Sequence, residues 1–187
     1  RYSDLSPAGA PAEGQGIVAA LEAAAKAGTR LVVICDDAYF GLFYHLGGQS
    51  LTESLFGALC NLHKNLLPIK LDGATKELFV WGLRCGFVTF GLGHTENAQT
   101  ALAALDEKVR SEIRSAISNS PMLSQSLIEK ALTLPSIAEE RKQKLGVLGA
   151  RATEVNKVAR DPRYAQSWEV YPFNSGYFML IKVKGVD

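Results

Sequence analysis

No apolar run in this chain of 187 residues is long enough to cross a bilayer. Leu31 to Cys35 and Phe87 to Phe90 each end within a few residues, and no secretory leader pattern is visible. Cysteine is scarce. Cys35, Cys60 and Cys85 are odd in number and sit in apolar segments, which reads as reduced core thiols, not a disulfide framework. His45, His63 and His94 lack metal-ligand spacing among themselves or with the cysteines, so no zinc site is expected. The net charge is only +1, which gives no electrostatic reason to expect nucleic acid or an anionic membrane as a partner. Internal repeats and low-complexity tracts are absent. What remains is 47% hydrophobic and 21% charged, the make-up of a soluble, cytoplasmic chain able to bury a core.

Periodicity places strands and helices in alternation. Gly16 to Lys26 is rich in alanine and ends at Gly28, as a helix does. The strand Leu31 to Cys35 follows at once. Leu51 to Leu62, introduced by Ser50 and Thr52, reads as a second helix leading to a strand around Leu67 to Leu71. Cys85 to Gly91 reads as a further buried strand. This alternation predicts an α/β sheet covered on both faces. Beyond Gly93 the pattern turns helical. Thr95-Glu96-Asn97 opens a long helix with Ala101, Leu102, Leu105, Val109, Ile113 and Ile117 at helical intervals, and Ser120-Pro121 breaks it. A short helix carries Leu123, Leu127, Ile128 and Ala131, and a charged helix runs from about Ser136 to about Ala159, ended by Asp161-Pro162. Tyr177 to Val183 reads as the start of a new strand pairing.

Lys76 is the most informative residue. It follows an apolar segment, where burial lowers a lysine's pKa and frees the amine to form an imine with a carbonyl. Eight residues on, Arg84 adds an anion binder that cannot deprotonate. Upstream, Val32-Val33-Ile34-Cys35-Asp36-Asp37-Ala38-Tyr39 is a strand ending in carboxylates and an aromatic hydroxyl. An amine beside an anion site is what a pyridoxal phosphate enzyme requires. Each residue also has a plainer reading. Lys76 fits a solvated loop, Asp36-Asp37 a cap or turn, Tyr39 an aromatic-rich core, and Arg84 an ion pair with Asp72 or Glu77.

Together, Asp36-x-x-Tyr39, Lys76 forty positions on, and Gly82-Leu83-Arg84-Cys85-Gly86 resemble the class I/II aminotransferases, the fold-type I pyridoxal phosphate family. The resemblance implies a three-layer α/β/α portion of the family's large domain plus the start of a small α+β domain. Residues 16–135 would be the cofactor-binding part, and 136–187 the linking helix and small-domain entry. It implies pyridoxal 5'-phosphate as cofactor, amino acid and 2-oxo acid substrates, and a homodimer. Asp36 would hold the proton on the ring nitrogen and Tyr39 would donate to the phenolic oxygen. Lys76 would attach the cofactor and shuttle a proton, while Arg84 and Thr75 would bind the phosphate. Lyase or decarboxylase chemistry on the same fold, or a non-catalytic effector-binding domain, would share these motifs.

The same resemblance has gaps. The upstream phosphate loop, the ring-stacking aromatic and a C-terminal substrate-binding arginine are not matched, so a partial chain is expected. Residues 1–15 read as an irregular leader, native or added. Within it, Ser6-Pro7-Ala8-Gly9 stands where the family has Asn-Pro-x-Gly, and no cofactor role passes to Ser6. Gly73 stands where many relatives have a phosphate-binding serine, a loss on the order of 1–3 kcal/mol for a charged acceptor. Asn174-Ser175-Gly176-Tyr177-Phe178 resembles the entry to the small-domain sheet, with Asn174 a candidate substrate contact. Ser118-Asn119-Ser120-Pro121 fits a plain turn, and also the helix break that relatives place near the active site.

Overall fold

The computed structural model describes residues 10–44, 46 and 51–186. Ser6-Pro7-Ala8-Gly9, His45 and Ser50 lie outside the described residues. Two compact units divide the chain. One comprises Ile17–Ala38 and Glu53–Leu134; the other takes the described parts of Arg1–Gly16, Tyr39–Thr52 and Pro135–Asp187.

The first unit holds a three-stranded sheet in the order β1-β2-β3, with β1 Leu31–Asp36, β2 Leu66–Gly73 and β3 Gly86–Phe90. β1 and β2 run parallel, Leu31 opposite Leu66 through Asp36 opposite Leu71. β3 returns antiparallel, with Ile69 opposite Phe90 and Gly73 opposite Gly86. Two helices cover one face. α1, Ala10–Lys26, brings Val18, Leu21 and Ala25; α2, Leu55–Leu59, brings Leu55, Phe56 and Leu59. They pack with Leu31, Val33, Cys35 and Leu66. Burying a side chain such as Leu59 in that cluster stabilises by about 1.5–3 kcal/mol.

Helix boundaries differ from the sequence reading for local reasons. α1 begins at Ala10, so residues 10–15 are helical and not irregular. Pro11 suits a helix's first turn and Glu13 complements its dipole, which offsets Gly14 and Gly16. Its end is as expected: Gly28 takes φ +97°, a left-handed turn that glycine enters without strain. α2 is shorter than the predicted Leu51 to Leu62. Ser54 caps it by accepting from Phe56 N at 3.1 Å, so the helix cannot start earlier. α4, Ala98–Ala116, is capped by the Asn97 side chain accepting from Thr100 N. Of its predicted apolar stripe Leu105, Val109 and Ile113 are half-buried, while Leu102 and Ile117 are exposed. α5, Met122–Leu132, follows the break at Pro121.

Two features of the sheet stand apart from the sequence reading. β1 alternates inward Leu31, Val33 and Cys35 with outward Val32 and Ile34, which are 64% and 60% exposed. α4 reaches that side only across a cavity of about 530 Å³ bounded by Val32, Leu67, Ala101 and Leu105. Among the described residues the second covering layer is therefore not packed down, and the three-layer arrangement is not seen. β3 was expected to be buried, yet Phe87 and Val88 are exposed because it is an edge strand with a partner on one side only.

Cys35 sits in the core at 6% exposure. Burial first, then the Asp37 carboxylate and Cys60, push its thiol from 9.0 to about 11, with Lys70 pulling weakly the other way. The folded chain thus favours the neutral thiol. Its contribution to stability is fully present below pH 9 and is lost as pH rises through 11. Denaturant melts from pH 8 to 11 should show a fall that Cys35→Ala makes smaller. At pH 8 a thiol so shifted carries about a hundredfold less thiolate than an ordinary one, so Cys35 should be the slowest cysteine to alkylate.

In the second unit, α6, Ile137–Ala159, precedes a short antiparallel pair, β4 Trp168–Val170 with β5 Ile181–Val183. The pairing was anticipated from Tyr177 onward, but its partner strand was not. Asp161 accepts from Arg163 N and, with Pro162, closes off α6. Trp168 donates its indole N–H to Ala159 O at 2.8 Å and stacks on Tyr164, fastening the pair to the helix. Residues 39–44 pack on residues 173–178. Tyr44 N donates to Asn174 O at 2.7 Å, its hydroxyl donates to Gly176 O at 2.5 Å, and Gly176 N donates to Leu42 O.

Candidate functional site

The sheet topology gathers the predicted residues of the first unit at one end. Asp36 is the last residue of β1, and the next residue, Asp37, donates its N–H to Leu71 O at 2.9 Å. β2 runs two residues further to Gly73, where a Cβ would stand 3.7 Å from Ala38. Directly beyond lies a single helical turn, α3 Ala74–Glu77, which carries Thr75 and Lys76. On the other flank Gly73 pairs with Gly86, two residues after Arg84. Thus Asp36, Thr75, Lys76 and Arg84 all project from the end of the sheet where parallel strands finish, the place where open α/β sheets bind ligands.

Local chemistry explains how each is held. Successive residues of an extended chain point to opposite sides, so the Asp36-Asp37 doublet splits. Asp36 is exposed, and its Oδ1 accepts the Ala38 N–H at 3.2 Å. The turn reading of this residue is therefore correct, and it leaves the second oxygen open among the described residues. Asp37 is 5% exposed and serves a different purpose. Ser54 Oγ donates to its Oδ2 at 2.5 Å, and Lys70 Nζ lies 3.7 Å from the same oxygen. Lys70 also forms an ion pair with Asp72. Lys76 is half-buried and Thr75 is 8% exposed.

Arg84 follows a 3-10 turn, Trp81–Leu83, and takes φ +46°, which costs a residue with a side chain some strain. It is exposed and makes no ion pair among the described residues, and Asp72, one of its expected partners, is taken by Lys70. Gly86 allows the close approach behind it: a Cβ there would be 2.9 Å from Asp72 O. Arg84 opens onto a cavity of about 490 Å³ whose far wall is Ser120, Pro121 and the α5 residues Ser124 to Leu132. Tyr39 belongs to the second unit, where its ring meets Tyr177 and Phe178 edge-on at 5.9 and 6.1 Å. Burial first, then Tyr44 and Tyr39, push the Tyr177 hydroxyl up to about 12. Asn174, the candidate substrate contact, is 2% exposed in the same unit.

Sequence reasoning overlooked the Ser54, Lys70 and Asp72 cluster around Asp37. A signal existed: Lys70 and Asp72 lie two apart on β2, hence on one face, in a strand otherwise apolar. Among the described residues no group of His, Cys, Asp and Glu could hold a metal ion, and no helix is long and apolar enough to cross a membrane.

An aminotransferase from Anaerococcus prevotii DSM 20548 aligns with 89% of this chain at a TM-score of 0.68 and 21% identity. The fold is aminotransferase-like. The chain spans 39% of that protein's length. No family model matches the sequence, and no curated protein does.

Proposed function

We propose that this chain is the pyridoxal phosphate-binding part of an aminotransferase, acting on an amino acid and a 2-oxo acid, with a second copy as its partner. The observation that carries the reading is the gathering of a carboxylate, an amine and a guanidinium at one end of the sheet, in an aminotransferase-like fold. The donor set fits the group. Asp36 keeps one carboxylate oxygen open, Lys76 follows the central strand, and Arg84 has no competing ion pair among the described residues. When bound, the pyridine ring supplies the electron sink for charge developing at the substrate α-carbon.

The chain's own residues do the rest. Asp36 holds a proton on the ring nitrogen by a charge-assisted bond. Lys76 Nζ would hold the group covalently and would move the proton at the substrate α-carbon. Arg84 binds the phosphate, with the Thr75 hydroxyl as a further donor. The role given to Tyr39, donation to the phenolic oxygen, rests on its three-residue step from Asp36.

The test is the half-reaction. The chain is incubated with pyridoxal phosphate and single amino acids, and the 2-oxo acid formed is quantified. Formation of up to one equivalent per chain, slowed by about 10³-fold in Lys76→Ala, is the expected result. Release of carbon dioxide or ammonia instead would replace transamination with another reaction.

A further inference from the structure

β1 is an open edge of the three-stranded sheet, because among the described residues its strand partner is β2 alone. The N–H groups of Leu31 and Asp37 donate to Asn65 O and Leu71 O, on the β2 side. Backbone groups alternate in direction along a strand, so those of Val32, Ile34 and Asp36 face the open edge. Such an edge is a template for another strand. The side chains on the outer face of this edge are Arg30, Val32, Ile34 and Asp36, and all four are exposed. Arg30 makes no ion pair among the described residues, and Asp36 commits one oxygen to the Ala38 N–H. Lys64 lines the same cavity as Arg30, with no carboxylate among its lining residues. One end of the edge is therefore cationic and the other anionic, with two aliphatic residues between.

We propose that β1 is a self-complementary docking strand for a second copy of this chain, paired antiparallel about a two-fold axis at Val33. In that register Val32 meets the partner's Ile34 and Arg30 meets the partner's Asp36, each twice by symmetry. Edge-facing residues lie opposite edge-facing residues, so the ladder bonds can form. Sliding the partner by two residues in either direction sets a charged residue against an aliphatic one and loses both ion pairs. A one-residue slip turns the hydrogen-bonding groups away from each other. The pairing consumes the β1 edge of both copies, so it closes at a dimer. Six residues bury little area, which makes the dimer concentration-dependent. The contact takes the Asp36 oxygen that the proposed function gives to the ring nitrogen. It therefore belongs to the cofactor-free chain and does not rest on that reading.

Sedimentation velocity of the 187-residue chain without cofactor, over a range of concentrations, is the test. A reversible monomer–dimer equilibrium is expected. Arg30→Asp and Asp36→Arg, each alone, set like charges against each other at both ends and should weaken the dimer about tenfold or more. Mixing the two variants should restore it, because each supplies the charge that the other lacks. Asp36→Asn, which keeps an oxygen for the Ala38 N–H, guards against a folding defect and should weaken the dimer about threefold. A chain that stays monomeric, or that grows past two copies without closing, would overturn the proposal. So would a dimer unmoved by both Arg30→Asp and Asp36→Asn, or folded charge variants that associate no more tightly mixed than apart.

Discussion

Asp36→Asn should keep the fold and the attachment to Lys76 while lowering turnover about 10³-fold. Asparagine has the same shape and retains the oxygen that accepts the Ala38 N–H, so the turn after β1 survives. It loses the negative charge that would keep a pyridine nitrogen protonated. Asp36 is exposed and at the strand's end, so the change removes no buried contact. The expected signature is a lower rate of 2-oxo acid formation with unchanged borohydride labelling and unchanged urea midpoint. A variant that turns over as well as wild type would show that this carboxylate only shapes a turn. Asp37→Asn supplies the control next door, because Asp37 faces the buried cluster and should alter stability before it alters chemistry.

Lys70→Met is the substitution with the largest expected cost in stability, about 3 kcal/mol. Asp37 has a side chain only 1% exposed and Lys70 one only 20% exposed, so their attraction is little screened by water. Removing the ammonium leaves the Asp37 carboxylate in the interior with Ser54 to bond it but without its cation, and leaves Asp72 without its ion pair to Lys70. Methionine fills a similar volume, so packing loss contributes little. Urea titration of Lys70→Met, Asp37→Asn and the double variant checks the argument. The double variant should cost clearly less than the sum of the two singles, since each single already removes the attraction between Asp37 and Lys70 and the second change cannot remove it again. Additive costs would mean that the ion pair contributes nothing.

Much of the first unit was legible because its signals are local. Leu31 to Cys35 is a β-branched run following a helix that ends in glycine, and β1 lies there with one added residue. Pro121 marks a helix break that any sequence shows, and α5 starts at the next residue. Asp36, Lys76 and Arg84 were singled out by their spacing, and strand register brings them to one end of the sheet: each lies within three residues of the Asp36, Gly73 or Gly86 end of its strand. What was not legible depends on contacts between distant segments. Nothing in the Asp36-Asp37 doublet says which carboxylate will be buried; the strand's pleat and the arrival of Ser54 seventeen residues later decide it. Apolar Val32 and Ile34 look buried from sequence alone, yet both are exposed among the described residues. Tyr39 fitted either a cofactor contact or an aromatic cluster, and its Tyr177 and Phe178 neighbours supply the second.

The central claim is that Lys76 is the amine of a cofactor site. The most direct measurement adds pyridoxal phosphate to the purified chain, records the visible imine band, reduces it with borohydride and maps the labelled peptide. The account predicts a band fixed on Lys76 and lost in Lys76→Ala. No band, or a label that settles on Lys70 or spreads over surface lysines such as Lys108 and Lys157, would contradict it.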